Sequence, residues 1–181
     1  MASLVDVADW SKYTPVPPPG NAQALLDAAS SLIRGHCGWS ISREVDVDLV
    51  LDGNGGRVLL LPTLRLDAVT VTVDEQPLVP DVDFEWSTSG ILRRLSGCWP
   101  DRYRSIGARL THGYAPVPAD VQKLCVALAA RQVTPAGANP GMKAETIGNY
   151  SYTAGASVPG SMLLEPPELV LLDPYQIKVG R

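Results

Sequence analysis

The residues able to do chemistry are few, and their spacing restricts what they can do. Two histidines, His36 and His112, and three cysteines, Cys37, Cys98 and Cys125, supply every imidazole and thiol in the chain. A nucleophilic enzyme needs a base beside its serine or cysteine. His36 falls on a helical pattern beside Cys37, and His112 falls in a strand-to-loop corner ahead of Gly113. Both read as structural residues rather than as bases. The cysteines lie far apart and match no CxxC spacing, so they read as free, mostly buried thiols and not as zinc ligands. Asp46 and Asp48 stand two apart in a strand pattern, which puts both carboxylates on one face, where they could share a metal or act as an acid/base pair. The plainer reading is the wet side of a half-buried strand. DGNGG at Asp52 to Gly56 lies between two strands and not ahead of a helix, so it reads as a hairpin turn rather than a phosphate cradle. GxSxG, HExxH and the phosphate-loop pattern are all absent.

The elements that would hold these residues are organised around Arg109 to Val133, RLTHGYAPVPADVQKLCVALAARQV. Here a strand ends in a His-Gly-Tyr corner, and Pro116 and Pro118 stiffen the turn. Pro118 suits the first helical position, and Asp120 suits the first turn of a helix. Val121, Leu124, Cys125, Leu128 and Gln132 then follow at helical spacing, predicting a helix over 118–133. Upstream, Ser3 and Asp6 resemble a capping box, which predicts a short helix over 4–12 with Val7 and Trp10 inward. TPVPPPG at Thr14 to Gly20 ends it. Asn21 opens a second helix, 22–37, with Leu25, Leu26, Ala29, Leu32, Ile33 and His36 on one side and Gly38 as its stop.

Between the helices the period changes from 3.6 to 2. Val45, Val47, Leu49 and Leu51 alternate as one face of a strand, and Arg57 to Leu61 is expected to return beside it across DGNGG. Val69, Val71 and Val73 form a third strand, and DEQP at Asp74 to Pro77 turns the chain. Val82 to Trp86 and Ile91 to Leu95 form a hairpin across STSG, and Ile106 to Leu110 closes the set. About six antiparallel strands therefore occupy 41–112. The expected fold class is α+β: a small helical bundle with an inserted antiparallel sheet or small barrel.

After Val133 the periodicity fades. Thr134 to Gly160 is rich in Gly, Pro, Ala and Ser, as expected of a functional arm or a segment ordered by a partner. Tyr150, Tyr152 and Thr153 could add a strand to a neighbour. Pro167 opens a last short helix, with Glu168 to Leu172 and Tyr175. The expected division is a core over 1–133 and a C-terminal arm over 134–181. No internal repeat is visible.

Composition excludes further classes. With 181 residues, 45% of them apolar, the chain can bury a real core. A net charge of −4 leaves no overall basic surface for gripping nucleic acid. No stretch of about 20 apolar residues exists to span a membrane. The first residues lack a basic start and an apolar core, so a secretory signal is not expected and synthesis in the cytosol is. Charge distribution says more than charge total. Ten acids against Arg57 and Arg65 fill Glu44 to Glu85, whereas Arg93, Arg94, Arg102, Arg104 and Arg109 face only Asp101 from Trp86 to Arg109. Either neighbouring strands neutralise one another within the chain, or the two patches meet between copies in a head-to-tail contact that closes into a ring. The second reading makes Asp46, Asp48, Arg93, Arg94, Arg102 and Arg104 subunit-interface candidates.

The ordered set NAQALLDAASSLIRGHCGW, DLVLDGNGGRVLLLPTLRLDAVTVTVD, DFEWSTSGILRR with its following WP, and RLTHGYAPVPADVQKLCVALAARQV resembles the head-to-tail connector proteins of long-tailed double-stranded DNA phages. ETIGNYSYTAG and ELVLLDPY resemble that family's C-terminal region, so the likeness spans about Leu4 to Tyr175. The resemblance implies a non-enzymatic virion protein of the head-tail junction with no cofactor and no metal. It implies a homo-oligomeric ring, usually of twelve, that binds the portal protein and downstream neck or tail proteins. DNA would pass through its channel without sequence-specific binding. The arm would contact the portal or a neighbouring copy, through Ile147, Tyr150, Tyr152, Leu169, Leu172 and Tyr175. Two alternatives stay open: another ring-forming neck or tail-terminator protein, and a small metal-binding enzyme domain using Asp46, Asp48 and His112.

Overall fold

The structure, a computed structural model, describes residues 3–133, 145–147, 150–152 and 162–178. It is an α+β fold, and the chain divides into two compact units: 1–33 with 119–173, and 34–118 with 174–181.

The first unit is helical. Its first turn is a short 3-10 helix, Val7–Lys12, and not the longer helix expected over 4–12. The cap is Asp6, whose carboxylate accepts from the Ala8 N–H at 2.8 Å. Ser3 is diverted from capping and lies 3.3 Å from the Ser30 hydroxyl. Helix α1, Ala22–Cys37, has the bounds its apolar spacing predicts, and Gly38 follows it at φ +80. Helix α2, Ala119–Arg131, starts one residue after Pro118. It buries Val121, Leu124, Cys125, Val126, Leu128, Ala129 and Ala130, a wider stripe than the spacing alone predicts. Leu26, Ala29, Ile33, Trp10 and Leu4 are also fully covered or nearly so. Ser30, inside this core, accepts from the Leu4 N–H at 2.9 Å, so its hydroxyl is not left unsatisfied. Helix α3, Pro166–Leu172, begins one residue before the predicted Pro167. It is tied to α2 through Arg131, whose guanidinium reaches Glu168 and the Leu163 carbonyl. A small hairpin, β8 (Glu145–Ile147) and β9 (Tyr150–Tyr152), completes the described part of this unit. Most of the arm expected over 134–160, with Thr153, lies outside the described residues.

The second unit is two sheets around one apolar cluster. Strands β1 (Glu44–Leu51), β3 (Leu66–Val73), β4 (Gln76–Leu78) and β7 (Ile106–His112) form a sheet in the order β1-β7-β3-β4. Strands β2 (Val58–Leu60), β5 (Phe84–Trp86) and β6 (Ile91–Arg94) form the other, in the order β2-β6-β5. Leu66, Val69, Val71, Ile106, Ala108 and Leu110 from the first sheet meet Leu59, Phe84 and Leu92 from the second, with Leu61 and Trp99 between. The indole N–H of Trp99 donates to the Arg57 carbonyl at 3.1 Å, which satisfies the polar end of an otherwise apolar side chain. The expected β5–β6 hairpin forms, with Glu85 opposite Arg93.

Two expectations fail here for identifiable reasons. DGNGG does not fold β2 back beside β1; β1 pairs with β7, and β2 pairs with β6 in the other sheet. The glycine-rich stretch is instead bound by a later loop: Gly53 N–H donates to the Arg102 carbonyl at 2.8 Å, and Trp99 N–H donates to the Gly56 carbonyl at 2.8 Å. A Cβ at position 53 would sit 2.0 Å from the Pro100 carbonyl oxygen, so glycine is required by that approach rather than by a hairpin. The alternation of β1 also breaks. Asp46 has φ +54 at a bulge between Glu44 and Val47, and Val45, expected inward, is 62% exposed. One extra residue reverses the facing of everything before it. The strand count rises from six to seven because Gln76 to Leu78, too short to show a period, pairs with β3.

Candidate assembly surfaces

His112 ends β7 opposite Glu44 on one side and Leu66 on the other. It is buried, and Gly113 follows at φ +95, where a Cβ would also lie 2.2 Å from the Ser42 carbonyl oxygen, so both the conformation and the close approach call for glycine. The imidazole Nε2 stands 3.6 Å from a Glu44 carboxylate oxygen, beyond hydrogen-bond reach, and Nδ1 is buried without a partner. Burial holds its pKa below the ordinary 6.5, and the nearby charges of Glu44 and Asp67 oppose that shift. Among the described residues no hydroxyl or thiol is bonded to this imidazole, which sits enclosed at the corner where β7 ends. Cys37 is equally passive: burial pushes its thiol up to about 11. Cys125 is buried as expected, whereas Cys98 is exposed.

The opposed charge patches are largely resolved inside the chain. Arg109 grips Asp48 with two hydrogen bonds, Nε to Oδ1 at 2.7 Å and NH2 to Oδ2 at 2.9 Å. That pair holds the Asp48 carboxyl below its usual range, chiefly through the hydrogen bond. The bulge turns Asp46 out of step with Asp48, so the two carboxylates no longer form the row that a shared metal would need. Among the described residues, no group of three or more His, Cys, Asp or Glu side chains is gathered closely enough to hold a metal ion. Arg93 pairs with Glu85, and Arg102 pairs with Asp74. Arg94 lies over the Trp99 ring at 5.6 Å, its Nε donating to the Ser96 carbonyl at 3.3 Å. The Arg104 side chain and the Asp46 carboxylate keep no direct partner among the described residues, although the Arg104 N–H donates to Asp52 at 2.7 Å. Between Arg102 and Arg104, Tyr103 is 87% exposed, an aromatic set among arginines whose exposure no local sequence signal marks.

The arm candidates separate in the same way. Leu172 is fully buried within the chain and offers no exposed surface to a partner; a seven-residue helix needs one side chain turned inward to be held at all. Tyr175 is half-buried: its carbonyl accepts from the Trp39 indole at 2.6 Å and its ring meets Tyr114 edge-on at 6.1 Å. Leu169 is partly exposed beside Val170 at 74%, and Leu163 is exposed nearby in sequence. Ile147 lies in β8, and Tyr150 and Tyr152 lie in β9. An open groove on the outer face of the larger sheet is lined by Asp48, Val50, Thr70, Thr72, Gly107 and Arg109. No helix among the described residues is long and apolar enough to cross a membrane.

No protein-family model and no curated protein matches the chain. Solved structures do. The chain is similar over 96% of its length to 89% of a chain in the neck of a native GTA (gene transfer agent) particle computed with C12 symmetry, at 14% identity and a TM-score of 0.59. It is similar over 97% of its length to 91% of a chain in the neck of an empty GTA particle computed with C6 symmetry, at 16% identity and a TM-score of 0.58. The fold is therefore that of particle-neck chains, shared almost end to end.

Proposed function

We propose that this chain is a structural, non-enzymatic component of a phage-like particle neck, a head-tail connector that assembles as a ring, binds the portal and continues the DNA channel toward the tail. The observation that carries the reading is the end-to-end likeness to neck chains, which leaves only small fractions of either chain unmatched. The residues agree with it: among the described residues the buried His112 Nδ1 has no hydrogen-bond partner, and Asp48 of β1 is gripped by Arg109. A ring of twelve is the expected assembly, made in the host cytoplasm and carried into the virion. An acidic protein suits a channel through which DNA slides without sequence-specific binding, since each phosphate neutralised by Lys or Arg adds retention. Arg104, whose side chain keeps no direct partner among the described residues, and Asp46, whose carboxylate acts on Arg109 through space, are the strongest of the copy-to-copy candidates. Asp48, Arg93, Arg94 and Arg102 already have intrachain contacts. Leu169, with Val170 beside it, offers an apolar contact for the portal or downstream neck proteins.

Electron microscopy of particles carrying an N-terminally tagged copy tests this. The tag is expected at the head-tail junction. A tag found at the far end of the tail, or absent from particles, would overturn the reading, and a tag displaced to the tail's upper rim would assign the chain to tail termination.

A further inference from the structure

The edges of the two sheets are not alike. β4 is three residues long and carries Pro77, and β2 and β5, the edges of the second sheet, are also three residues each. Shortness and proline are devices that keep an edge from pairing. β1 has neither. It is eight residues long and, among the described residues, pairs only with β7. Its bulge disturbs only the first part, and from Val47 to Leu51 the register with β7 is unbroken. Along that run Val50 is 62% exposed, and the charge of Asp48, which would guard the edge, is bound by Arg109. The outward N–H and C=O groups of β1 thus face no strand among the described residues.

The same chain carries a strand pair without a larger sheet. Among the described residues, β8 and β9 pair only with each other. A hairpin of three residues per strand is marginal by itself in water. Eleven residues separate it from Val133, a tether that spans at most about 40 Å when extended.

Resting on the ring reading above, we propose that the free edge of β1 is completed by the β8–β9 hairpin of a second copy of this chain, extending the four-stranded sheet across the boundary between copies. Main-chain hydrogen bonds supply the affinity of such strand addition, and side chains alternating along the strand set its register. Each copy gives one hairpin and receives one, so the contact is head-to-tail and closes when the rotation between copies completes a circle. The marginal hairpin and the unprotected edge are satisfied in one step.

The test uses two versions of the full chain, both with Cys98→Ser. One carries Val50→Cys, and the other carries Tyr150→Cys or Ser151→Cys; successive strand residues point to opposite faces, so these two cover both orientations. The versions are mixed, assembled and oxidised, and the product is run without reductant while native mass is measured on the same sample. A disulfide-linked dimer is expected, several-fold above either version alone, with one of the two β9 positions. Rings by native mass with no link above the single-version controls would overturn the strand exchange and leave the ring reading standing. A monomer at every concentration would overturn both.

Discussion

His112 shows how a single residue changes meaning between sequence and structure. Its place in a corner before Gly113 is legible from residue order, but the Glu44 carboxylate at 3.6 Å and the stranded Nδ1 depend on a strand that precedes it by more than sixty residues. The lowered pKa has a consequence for stability. In the window between the lowered native value and 6.5, the unfolded chain binds more protons than the native one, so stability falls as pH drops through that window and levels off below it. Urea midpoints between pH 7.5 and 5.5 should therefore decline, with His36 the one other histidine present. In His112→Gln the part of the slope due to this imidazole disappears; an unchanged slope would show that burial does not keep His112 neutral. Cys98 and Tyr103 mark the limit at this scale, because nothing in their local sequence distinguishes an exposed thiol or ring from a buried one.

Elements were more legible than their partners. The apolar period locates α1 and α2 almost to the residue, and alternation finds β3, β5, β6 and β7. Pairing was not readable where it depends on distant hydrogen bonds: DGNGG has the composition of a hairpin turn, yet the Pro100 and Arg102 carbonyls hold it from nearly fifty residues away. The bulge at Asp46 was not legible because aspartate, though it tolerates positive φ better than most residues, is far commoner at ordinary strand and turn positions. The same reasoning yields a prediction at the turn between β3 and β4. Val73 pairs with Gln76, so Asp74 and Glu75 form a two-residue loop, and both have positive φ, 48 and 68. That is the geometry for which Asn-Gly and Asp-Gly are preferred. Glu75→Gly should raise stability by about 0.5–1 kcal/mol, since a left-handed non-glycine residue costs roughly 1–2 kcal/mol. A denaturant midpoint that falls instead would mean that the Glu75 side chain contributes more than its backbone costs.

At the scale of the whole molecule, the ordered set of motifs resembled head-to-tail connectors, and the fold is that of neck chains at an identity of only 14–16%. Fold survives such divergence because binary pattern and volume specify it, whereas the surfaces that bind partners are set by individual exposed residues. Helices and strands could therefore be assigned from the sequence, whereas exposed charge does not announce its partner: Arg93, Arg94 and Arg102, proposed for contacts between copies, also have contacts within the chain. The central claim is that these copies come together as a closed ring. Native mass spectrometry of the chain, alone and with the portal protein, measures it most directly. A closed oligomer of the 19.3 kDa chain is expected, of twelve copies, formed alone or on meeting the portal. A strict monomer that ignores the portal at every concentration would contradict it.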